Sequence, residues 1–282
     1  MIRDADTDVL YLSDQLRQME KYKEWFPYFE SVLKENNIPF EYVFGTKDIW
    51  CRDYMPIQIS HSDFVLFKYD SDYLKGKKYD HVRTIQEDIQ FAKDWKIKKS
   101  DLIIDGGNII SNTDHIIITD MVMIDNPGWG KEEIIKELKN KLGDKRITIL
   151  PRIPYDVTGH ADGMVKFIDE KRLLLSDYSD QSASYIKKLK KSLEQTGLEL
   201  LELPSFFDEE QNDKGDYKAR GCYINFVQIG DKILFPQFEH SKDEDALEKC
   251  EHYFPNCKVI PVNSNPIAEY GGVLNCMTWE KM

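Results

Sequence analysis

Asp105-Gly106-Gly107-Asn108 and Gly159-His160-Ala161-Asp162 belong to a series of five short clusters of small and polar residues. The other three are Trp50-Cys51-Arg52-Asp53, Arg220-Gly221-Cys222-Tyr223-Ile224-Asn225 and Gly271-Gly272-Val273-Leu274-Asn275-Cys276. The successive steps between Asp53, Asp105, His160, Asn225 and Cys276 are 52, 55, 65 and 51 residues. A recurrence of this length indicates one structural unit copied several times. If the units surround a common axis, each delivers its cluster to one central site.

The hydrophobic pattern between the clusters supports this repeat. Each cluster is preceded by an amphipathic helix pattern and then by a short apolar strand. We predict helices near residues 14–36, 86–97, 130–143, 182–196 and 242–253. We predict the strands that follow them at residues 40–44, 102–104, 147–150, 198–203 and 259–262. A hairpin-like stretch follows each of the first four clusters, so the pattern predicts an α/β fold built from repeated units.

The apolar segment Val9-Leu10-Tyr11-Leu12 is predicted to be an extra strand ahead of the first helix. Only six residues follow Cys276, so the fifth unit lacks a hairpin partner, and we expect residues 9–12 to supply it. Pairing of the two chain ends removes the last exposed sheet edges. No low-complexity linker interrupts the chain, and we expect a single domain over residues 1–282.

Residues 205–219 form the longest polar interruption and account for the one long step of 65 residues. Because this segment lies just ahead of a cluster, one interpretation is a lid over the site. An ordinary surface insertion is an equally good interpretation.

Composition narrows the class of protein. The 282 residues suffice for a sizeable core, and 41% of them are hydrophobic. The net charge of −12 argues against a nucleic-acid partner and is compatible with cationic ligands, although such acidity often serves only solubility. No run reaches the roughly 18 apolar residues of a membrane span. Five widely spaced cysteines fit free thiols in a reducing compartment, so we expect a cytoplasmic protein.

Cys276 is the candidate nucleophile. The two glycines of Gly271-Gly272 allow a tight turn and a close approach of the backbone to a ligand. A nucleophilic thiol needs such access together with a lowered pKa. An inert buried thiol explains the same residues. We interpret the other cysteines as structural, with Cys51 as the exception because it lies inside a cluster.

His160 and Asp162 are two residues apart, which in a strand places both side chains on one face. One interpretation is a general acid/base beside a carboxylate that holds a cationic substrate. The alternatives are a pair of metal ligands and a hydrogen-bonded buried histidine. We expect no metal, because the remaining histidines are predicted to lie in loops or at the surface: His61, His81, His115, His240 and His252.

Two further carboxylates complete the candidate site. Asp105 ends a predicted strand and could orient a histidine, although Asp-Gly is also a common turn. Asp53 lies three residues after Trp50, and an aromatic wall beside a carboxylate suits a planar cation. A surface Arg-Asp pair beside a core tryptophan is the alternative interpretation. The periodic recurrence of the clusters favours the functional interpretation.

The order of the motifs resembles the agmatine deiminase and bacterial, Porphyromonas-type peptidylarginine deiminase-like family of the guanidine-modifying superfamily. The resemblance covers most of the chain and implies the pentein fold, a five-bladed α/β propeller. The matching segments are Trp50-Cys51-Arg52-Asp53-Tyr54-Met55-Pro56, Asp105-Gly106-Gly107-Asn108, Gly159-His160-Ala161-Asp162, Asn225-Phe226 and Gly271-Gly272-Val273-Leu274-Asn275-Cys276-Met277-Thr278.

The resemblance also implies roles for single residues. It makes Cys276 the nucleophile, His160 the general acid/base and Asp105 the partner of that histidine. The residues expected to bind the substrate are Asp53, Asp162, Trp50, Arg220 and Asn225. No metal or organic cofactor is expected. Two positions depart from the family pattern: aspartate at 105 replaces the usual glutamate, and Asn275 stands where agmatine deiminases usually carry histidine.

These roles predict hydrolysis of a small cationic guanidino substrate, agmatine or a related alkylguanidine, to a ureido product and ammonia. An amidinotransferase, a peptidylarginine or arginine deiminase, and a non-enzymatic guanidinium-binding protein are the alternatives. Arg220 favours a carboxylated guanidine if it binds a substrate carboxylate. The sequence is compatible with a homo-oligomer and leaves the exact substrate open.

Overall fold

A computed structural model describes residues 1–212, 215 and 217–282, apart from the side chain of Lys78. Within these residues fifteen strands form five three-stranded sheets. The strands are β1 Val9–Ser13, β2 Phe40–Val43, β3 Ile57–Gln58, β4 Asp63–Lys68, β5 Lys96–Ile103, β6 Ile110–Ser111, β7 His115–Thr119, β8 Arg146–Leu150, β9 Val165–Phe167, β10 Arg172–Ser176, β11 Glu199–Leu203, β12 Val227–Ile229, β13 Lys232–Gln237, β14 Lys258–Asn263 and β15 Thr278–Lys281. The helices are α1 Gln15–Gln18, α2 Phe26–Glu35, α3 Cys51–Tyr54, α4 Met121–Asp125, α5 Lys131–Leu142, α6 Ala183–Glu194, α7 Asp243–Tyr253 and α8 Asn265–Ala268.

Each sheet repeats one topology. A first strand pairs antiparallel with a middle strand, and the middle strand pairs parallel with a third. The sheets are β15-β1-β2, β3-β4-β5, β6-β7-β8, β9-β10-β11 and β12-β13-β14. A parallel neighbour requires a crossover, which explains why a helix joins the middle strand to the third in four of the five repeats. Every polar cluster follows a third strand, so the five equivalent strand ends deliver the five clusters.

The two ends of the chain meet in the first sheet. β1 pairs with β15 in the register Leu10↔Glu280 and Tyr11↔Trp279, and with β2 on its other side. The prediction that residues 9–12 supply the missing strand is therefore confirmed. That residues 1–282 form one domain stays a prediction.

Apolar faces of the helices pack on the sheets as their periodicity predicts. In α5 the buried residues are Ile134, Leu138 and Leu142, and they join the buried middle strand β7 in one apolar cluster. The predicted helices at 130–143, 182–196 and 242–253 are confirmed to within two residues at each end. Within the described residues no helix is both long and apolar enough to cross a membrane.

The predicted helix at 14–36 is wrong as one element. The chain leaves helical geometry at Met19, with ψ of 125°. It enters α2 at Phe26, where Pro27 occupies the first turn. Proline has no N–H to donate and fits a helix only in that turn, so it starts a new helix instead of continuing the earlier one.

The predicted helix at 86–97 is wrong outright. This part of the chain holds only a short 3-10 turn at Gln86–Asp88 and the start of β5. The Gln86 amide donates to the backbone oxygens of Tyr54 and Phe67, which fixes the segment as a loop. Trp95 stacks on Phe64 with ring centroids 4.5 Å apart, so tertiary contacts override the helical periodicity here.

Candidate active site

A cavity of about 820 Å³ opens where the clusters meet. Four of the five clusters contribute residues to its wall, including Trp50, Asp53, His160, Asn225 and Cys276. The second cluster lies directly behind His160, through Asp105. The structure thus brings together side chains that are far apart in the sequence.

His160 lies buried between two carboxylates. Its Nε2 is 3.1 Å from Oδ2 of Asp105, and its Nδ1 is 3.5 Å from Oδ1 of Asp53. Burial by itself lowers the pKa of His160, but Asp53, Asp105 and Asp162 outweigh it and raise that pKa to about 10. In the unliganded protein the ring is therefore an imidazolium at neutral pH. His160 and Asp162 lie in irregular chain ahead of β9, so the strand geometry that would place both side chains on one face does not apply to them.

The three acid–base groups surround Gly107. A Cβ at this position would lie 2.6 Å from Nδ1 of His160, 2.8 Å from Oδ1 of Asp53 and 3.3 Å from Oδ2 of Asp162. The Gly107 N–H also donates to Asp53 Oδ1 at 3.2 Å, and its carbonyl accepts from the N–H of Asp162 at 3.0 Å. Only glycine leaves room for the convergence while its backbone contacts the Asp53 carboxylate and the Asp162 main chain.

Cys276 faces the same carboxylates. Its Sγ lies 3.3 Å from Oδ1 of Asn225 and 3.6 Å from Oδ2 of Asp162. Asn225 Oδ1 also accepts from the backbone N–H of Cys276 at 3.2 Å, which ties the fourth cluster to the fifth. Burial, with Asp162 and Asp53 adding to it, raises the pKa of the Cys276 thiol well above its ordinary value. Burial also raises the pKa of Asp53, with Asp105 and Asp162 opposing the lowering by His160.

Asn275 links this site to a buried ion pair that lies outside the cavity wall. Its Nδ2 donates to Asp162 Oδ2 at 2.8 Å, and its Oδ1 accepts from the Arg52 guanidinium at 3.2 Å. Arg52 in turn forms a buried ion pair with Glu280 in β15. The cation on one side and the carboxylate on the other fix the orientation of the Asn275 amide.

Trp50 forms an aromatic part of the cavity wall. A Cβ at Gly272 would lie 2.5 Å from Cζ3 of Trp50 and 3.1 Å from the Cβ of Cys276. Gly272 therefore lets the indole and the thiol approach each other. The close approach of the backbone that the two glycines before Cys276 predicted is therefore present at Gly272.

Arg220 also lines the cavity, but its guanidinium already has protein partners. It donates to Asn265 Oδ1 at 3.0 Å, to Asp208 Oδ2 at 3.3 Å and to the Phe238 carbonyl at 3.4 Å. Asp208 belongs to the segment 205–219, so Arg220 anchors that segment. Binding of a substrate carboxylate by Arg220 stays a prediction, with these contacts arguing against it.

The segment 205–219 forms part of the cavity wall, although Asp213, Lys214 and Asp216 lie outside the described residues. Phe207 and Tyr217 of this segment contact Tyr155, with ring centroids 4.3 and 6.1 Å from it. An aromatic rim thus lies at the mouth of the cavity, as a lid requires. Closure stays a prediction.

Two of the remaining cysteines, Cys51 and Cys222, lie inside the polar clusters. Cys51 is fully buried beside the Tyr54 hydroxyl, and burial raises the pKa of its thiol to about 12. Cys222 lines the cavity, and burial likewise raises the pKa of its thiol to about 12.

His115, predicted to lie in a loop or at the surface, is buried in β7 with Nε2 2.8 Å from Thr148 Oγ1, so that prediction is wrong.

Asp53, Asp105 and His160 place one donor atom each within 4.8 Å of one another, a spacing that metal ligands also show. Both ring nitrogens of His160 already face a carboxylate. We therefore interpret the three as a hydrogen-bonded acid–base group.

Sequence reasoning missed several residues that shape the site. Gly107 and Arg52 stand inside recognised clusters, so their neighbours could have pointed to them. Ser71 and Tyr73, which contact Asp105, lie in an interval with no helical or strand periodicity and gave no signal.

Comparison with solved structures identifies the fold of the chain. An agmatine deiminase from C. jejuni has a TM-score of 0.77 at 22% identity, over 99% of this chain and 95% of that chain. DDAH from Pseudomonas aeruginosa has a TM-score of 0.58 at 12% identity, over 97% of this chain and 99% of that chain. At such identities the likeness shows the fold alone, the five-bladed α/β propeller of the penteins, as predicted.

The sequence profile of the Porphyromonas-type peptidyl-arginine deiminases matches residues 7–281, and the chain belongs to that family. A protein from Streptococcus mutans with the provisional name agmatine deiminase is 24% identical over 249 residues, 78% of this chain and 65% of that protein. Another of the same provisional name, from Marinomonas, is 28% identical over 206 residues, 63% of this chain and 56% of that protein. The chain thus spans 56% to 65% of the length of these curated relatives.

Proposed function

We propose that this chain is a cysteine-dependent guanidine deiminase that converts agmatine or a related alkylguanidine to a ureido product and ammonia. The observation that carries the proposal is the convergence of one thiol, one imidazolium and two carboxylates on one cavity. The family, and the agmatine deiminase names of similar proteins, support the same class of reaction. One similar structure is that of a C. jejuni agmatine deiminase with substrate bound.

Asp53 and Asp162 are proposed to bind the guanidinium. Both are buried, and both lie on the side of the cavity where Cys276 faces Asp162. Two carboxylates can accept paired N–H bonds from a planar cation, and the nearby face of Trp50 suits the same cation. Held in this way, the central carbon of the guanidinium stands against the Cys276 sulfur.

Substrate binding also activates the thiol. In the unliganded site burial and the charges of Asp162 and Asp53 keep the Cys276 pKa high. A bound guanidinium offsets those negative charges, so the thiol loses its proton to solvent as the cation enters. The nucleophile is then formed only where there is a substrate for it to attack.

In the first chemical step the thiolate of Cys276 adds to the central carbon of the guanidinium and forms a C–S bond. The C–N bond to the departing amine then breaks, and the His160 imidazolium gives that nitrogen its proton, so ammonia leaves. An amidino-thioether remains on Cys276. Asp105 holds the ring through Nε2 and stabilises its charged form.

In the second step His160, now neutral, removes a proton from water. The resulting hydroxide adds to the same carbon and forms a C–O bond. The C–S bond then breaks and releases the thiolate, and the product loses its hydroxyl proton to solvent and leaves as a neutral ureido compound. The thiolate regains from solvent the proton that it gave up when the substrate bound. The reaction consumes one water and one guanidinium and restores the enzyme.

The contacts of Asp105 and Asn275 give a physical reason why these two departures from the family pattern are tolerated. Asp105 comes within 3.1 Å of His160 Nε2, so the shorter carboxylate reaches its partner. Asn275 donates to Asp162, a contact that an amide supplies without adding a charge.

The experiment is ammonia release from agmatine, free arginine and an arginine-containing peptide by wild type, Cys276→Ala and Cys222→Ala. The two cysteines line the same cavity, so Cys222→Ala controls for loss of a thiol from its wall. We expect release from agmatine that falls at least about a thousandfold in Cys276→Ala and stays within a few-fold in Cys222→Ala.

The other outcomes separate the alternatives. Release from arginine or the peptide alone would reassign the substrate. Consumption of agmatine only when an amine is added, with no ammonia, would indicate an amidinotransferase. Binding of agmatine without turnover would leave a non-enzymatic guanidinium-binding protein and overturn the proposal.

A further inference from the structure

The second repeat lacks the crossover helix found in the other four. Between β4 and β5 the described chain holds only short 3-10 turns, at Asp72–Leu74, Lys77–Tyr79 and Gln86–Asp88. This irregular segment does not simply bridge the strands. Its first turn delivers two hydroxyl groups, of Ser71 and Tyr73, to the back of the acid–base group.

Both carboxylate oxygens of Asp105 are engaged by these hydroxyls. Ser71 Oγ donates to Asp105 Oδ1 at 2.5 Å, and the Tyr73 hydroxyl donates to Asp105 Oδ2 at 2.9 Å. Oδ2 is also the oxygen that faces His160 Nε2. The Asp105 side chain is only 2% exposed, so these contacts decide its orientation.

The hydroxyls are themselves held in place. The N–H of Asp72, between the two residues, donates to Asp125 Oδ1 at 2.8 Å. The N–H of Tyr69 donates to Gln86 Oε1 at 3.1 Å. The Tyr73 ring lies edge-on to the His160 ring, with centroids 6.2 Å apart. The segment is thus fixed just before Ser71 and again between Ser71 and Tyr73.

We propose that Tyr73, assisted by Ser71, is a positioning residue that acts through Asp105 to set the geometry and proton affinity of His160. The kinetic part of this proposal rests on the proposed deiminase function, and the titration part does not. Tyr73 takes no direct part in the chemical steps.

The consequence for proton affinity follows from elementary electrostatics. A hydroxyl that donates to a carboxylate draws negative charge away from the atom that faces the histidine. Without the Tyr73 hydroxyl, Asp105 Oδ2 stabilises the imidazolium more strongly, so the pKa of His160 rises. Burial keeps the pKa of the Tyr73 phenol above its ordinary value, so it stays a donor over the working pH range. Other carboxylates also act on the acid–base group from the surrounding elements. Asp53, Asp125 and Asp162 interact with His160, and Asp48 interacts with Asp53.

The test compares Tyr73→Phe with Tyr178→Phe. Tyr178 is a matched control, because it also lines the cavity and its hydroxyl donates to the backbone oxygen of Met164 instead of a catalytic group. The first readout is the NMR titration of His160 in the unliganded protein. The second is the dependence of kcat and KM for agmatine on pH.

We expect the His160 pKa to rise by about half a unit or more in Tyr73→Phe and to stay unchanged in Tyr178→Phe. We expect kcat at pH 8 to fall about threefold for each half-unit rise in the His160 pKa in Tyr73→Phe, with KM within about twofold, and the kcat profile to move to higher pH. The reason is that His160, left neutral when ammonia departs, takes a proton back from solvent more readily if its pKa is higher. The neutral form that activates water then becomes scarcer at a given pH.

An unchanged His160 titration in folded Tyr73→Phe would overturn the proposal, whatever the activity. Equal kcat losses in both variants with no shift of the profile would reduce Tyr73 to a structural role. If Tyr73→Phe does not fold, Ser71→Ala removes the other donor and is judged by the same titration. If the wild type releases no ammonia, the deiminase proposal fails while the titration still decides the role of Tyr73.

Discussion

Among single residues, Gly107 determines the geometry of the site as much as the titratable groups do. Its missing side chain leaves the space in which His160 and Asp53 face each other. Its N–H and C=O orient Asp53 and Asp162. The distances between the acid–base groups thus depend on a residue that has no chemistry of its own.

We predict that Gly107→Ala lowers kcat/KM for agmatine at least about a hundredfold, because the added Cβ displaces His160 and Asp53 and displacements near 1 Å carry costs of that size. The free energy of unfolding should fall by about 1–3 kcal/mol from the overpacking. Steady-state kinetics and urea unfolding measure the two effects.

Gly128→Ala is the control for this prediction, since a Cβ there meets no atom within 4 Å. It should leave both quantities unchanged. Activity in Gly107→Ala equal to that of Gly128→Ala would contradict the convergence described for the site.

The sequence could name the residues that carry charge or a thiol, because motif spacing brought Cys276, His160 and three carboxylates into one prediction. It could not name Ser71 or Tyr73. Their role depends on an irregular segment whose path is set by Gln86 and Trp95, contacts between residues far apart in the chain.

At the element scale, the segment 205–219 is anchored from behind by Arg220. The Arg220 guanidinium joins Asp208 of this segment to Asn265 and to the Phe238 carbonyl. Phe207 of the same segment packs on Tyr155 at the mouth of the cavity. Arg220 therefore acts on the cavity through the segment that it holds.

We predict that Arg220→Ala lowers kcat/KM by a similar factor, about tenfold, for agmatine and for arginine, because the segment loses its anchor for both. Arg172→Ala, which removes a more exposed ion pair with Asp169, should leave activity unchanged. Parallel kinetics on the two substrates measure the ratio. A much larger loss on arginine alone would support the carboxylate-binding role predicted from the sequence.

Periodicity predicted the helices of the last three repeats to within two residues, since each has a plain apolar stripe facing its sheet. It failed in the first two repeats for local reasons. Pro27 starts a new helix there, and aromatic stacking by Trp95 holds the chain extended.

At the scale of the whole molecule, the buried charges make stability depend on pH. The folded protein raises the pKa of His160 from 6.5 to about 10, so the folded state binds a proton that the unfolded state has lost between those values. This stabilisation is fully present below pH 6.5 and disappears as pH rises toward 10. Asp48, whose pKa burial raises from 3.8 to about 7, acts in the same direction at lower pH.

We predict that the free energy of unfolding falls between pH 7 and pH 9, with His160 contributing a slope of up to about 1.4 kcal/mol per pH unit. The slope should be smaller in His160→Asn and unchanged in His252→Asn, since His252 is exposed. Urea unfolding at several pH values measures it. Identical slopes in wild type and His160→Asn would show that His160 is not an imidazolium in the folded protein.

The repeat interval predicted the five units and the pairing of the chain ends, because both follow from counting clusters and strands. The base of the site could not be predicted in that way. It depends on β15 bringing Glu280 under Arg52, which in turn orients Asn275 beneath Asp162.

The proposed mechanism requires a covalent bond between the Cys276 sulfur and the guanidino carbon. The most direct test is mass spectrometry of the protein quenched in acid during turnover of agmatine, followed by peptide mapping. We expect an amidino adduct on the peptide that contains Cys276, present in Cys222→Ala and absent from Cys276→Ala. Ammonia release at the normal rate by Cys276→Ala, or turnover by wild type with the adduct on another residue, would contradict it.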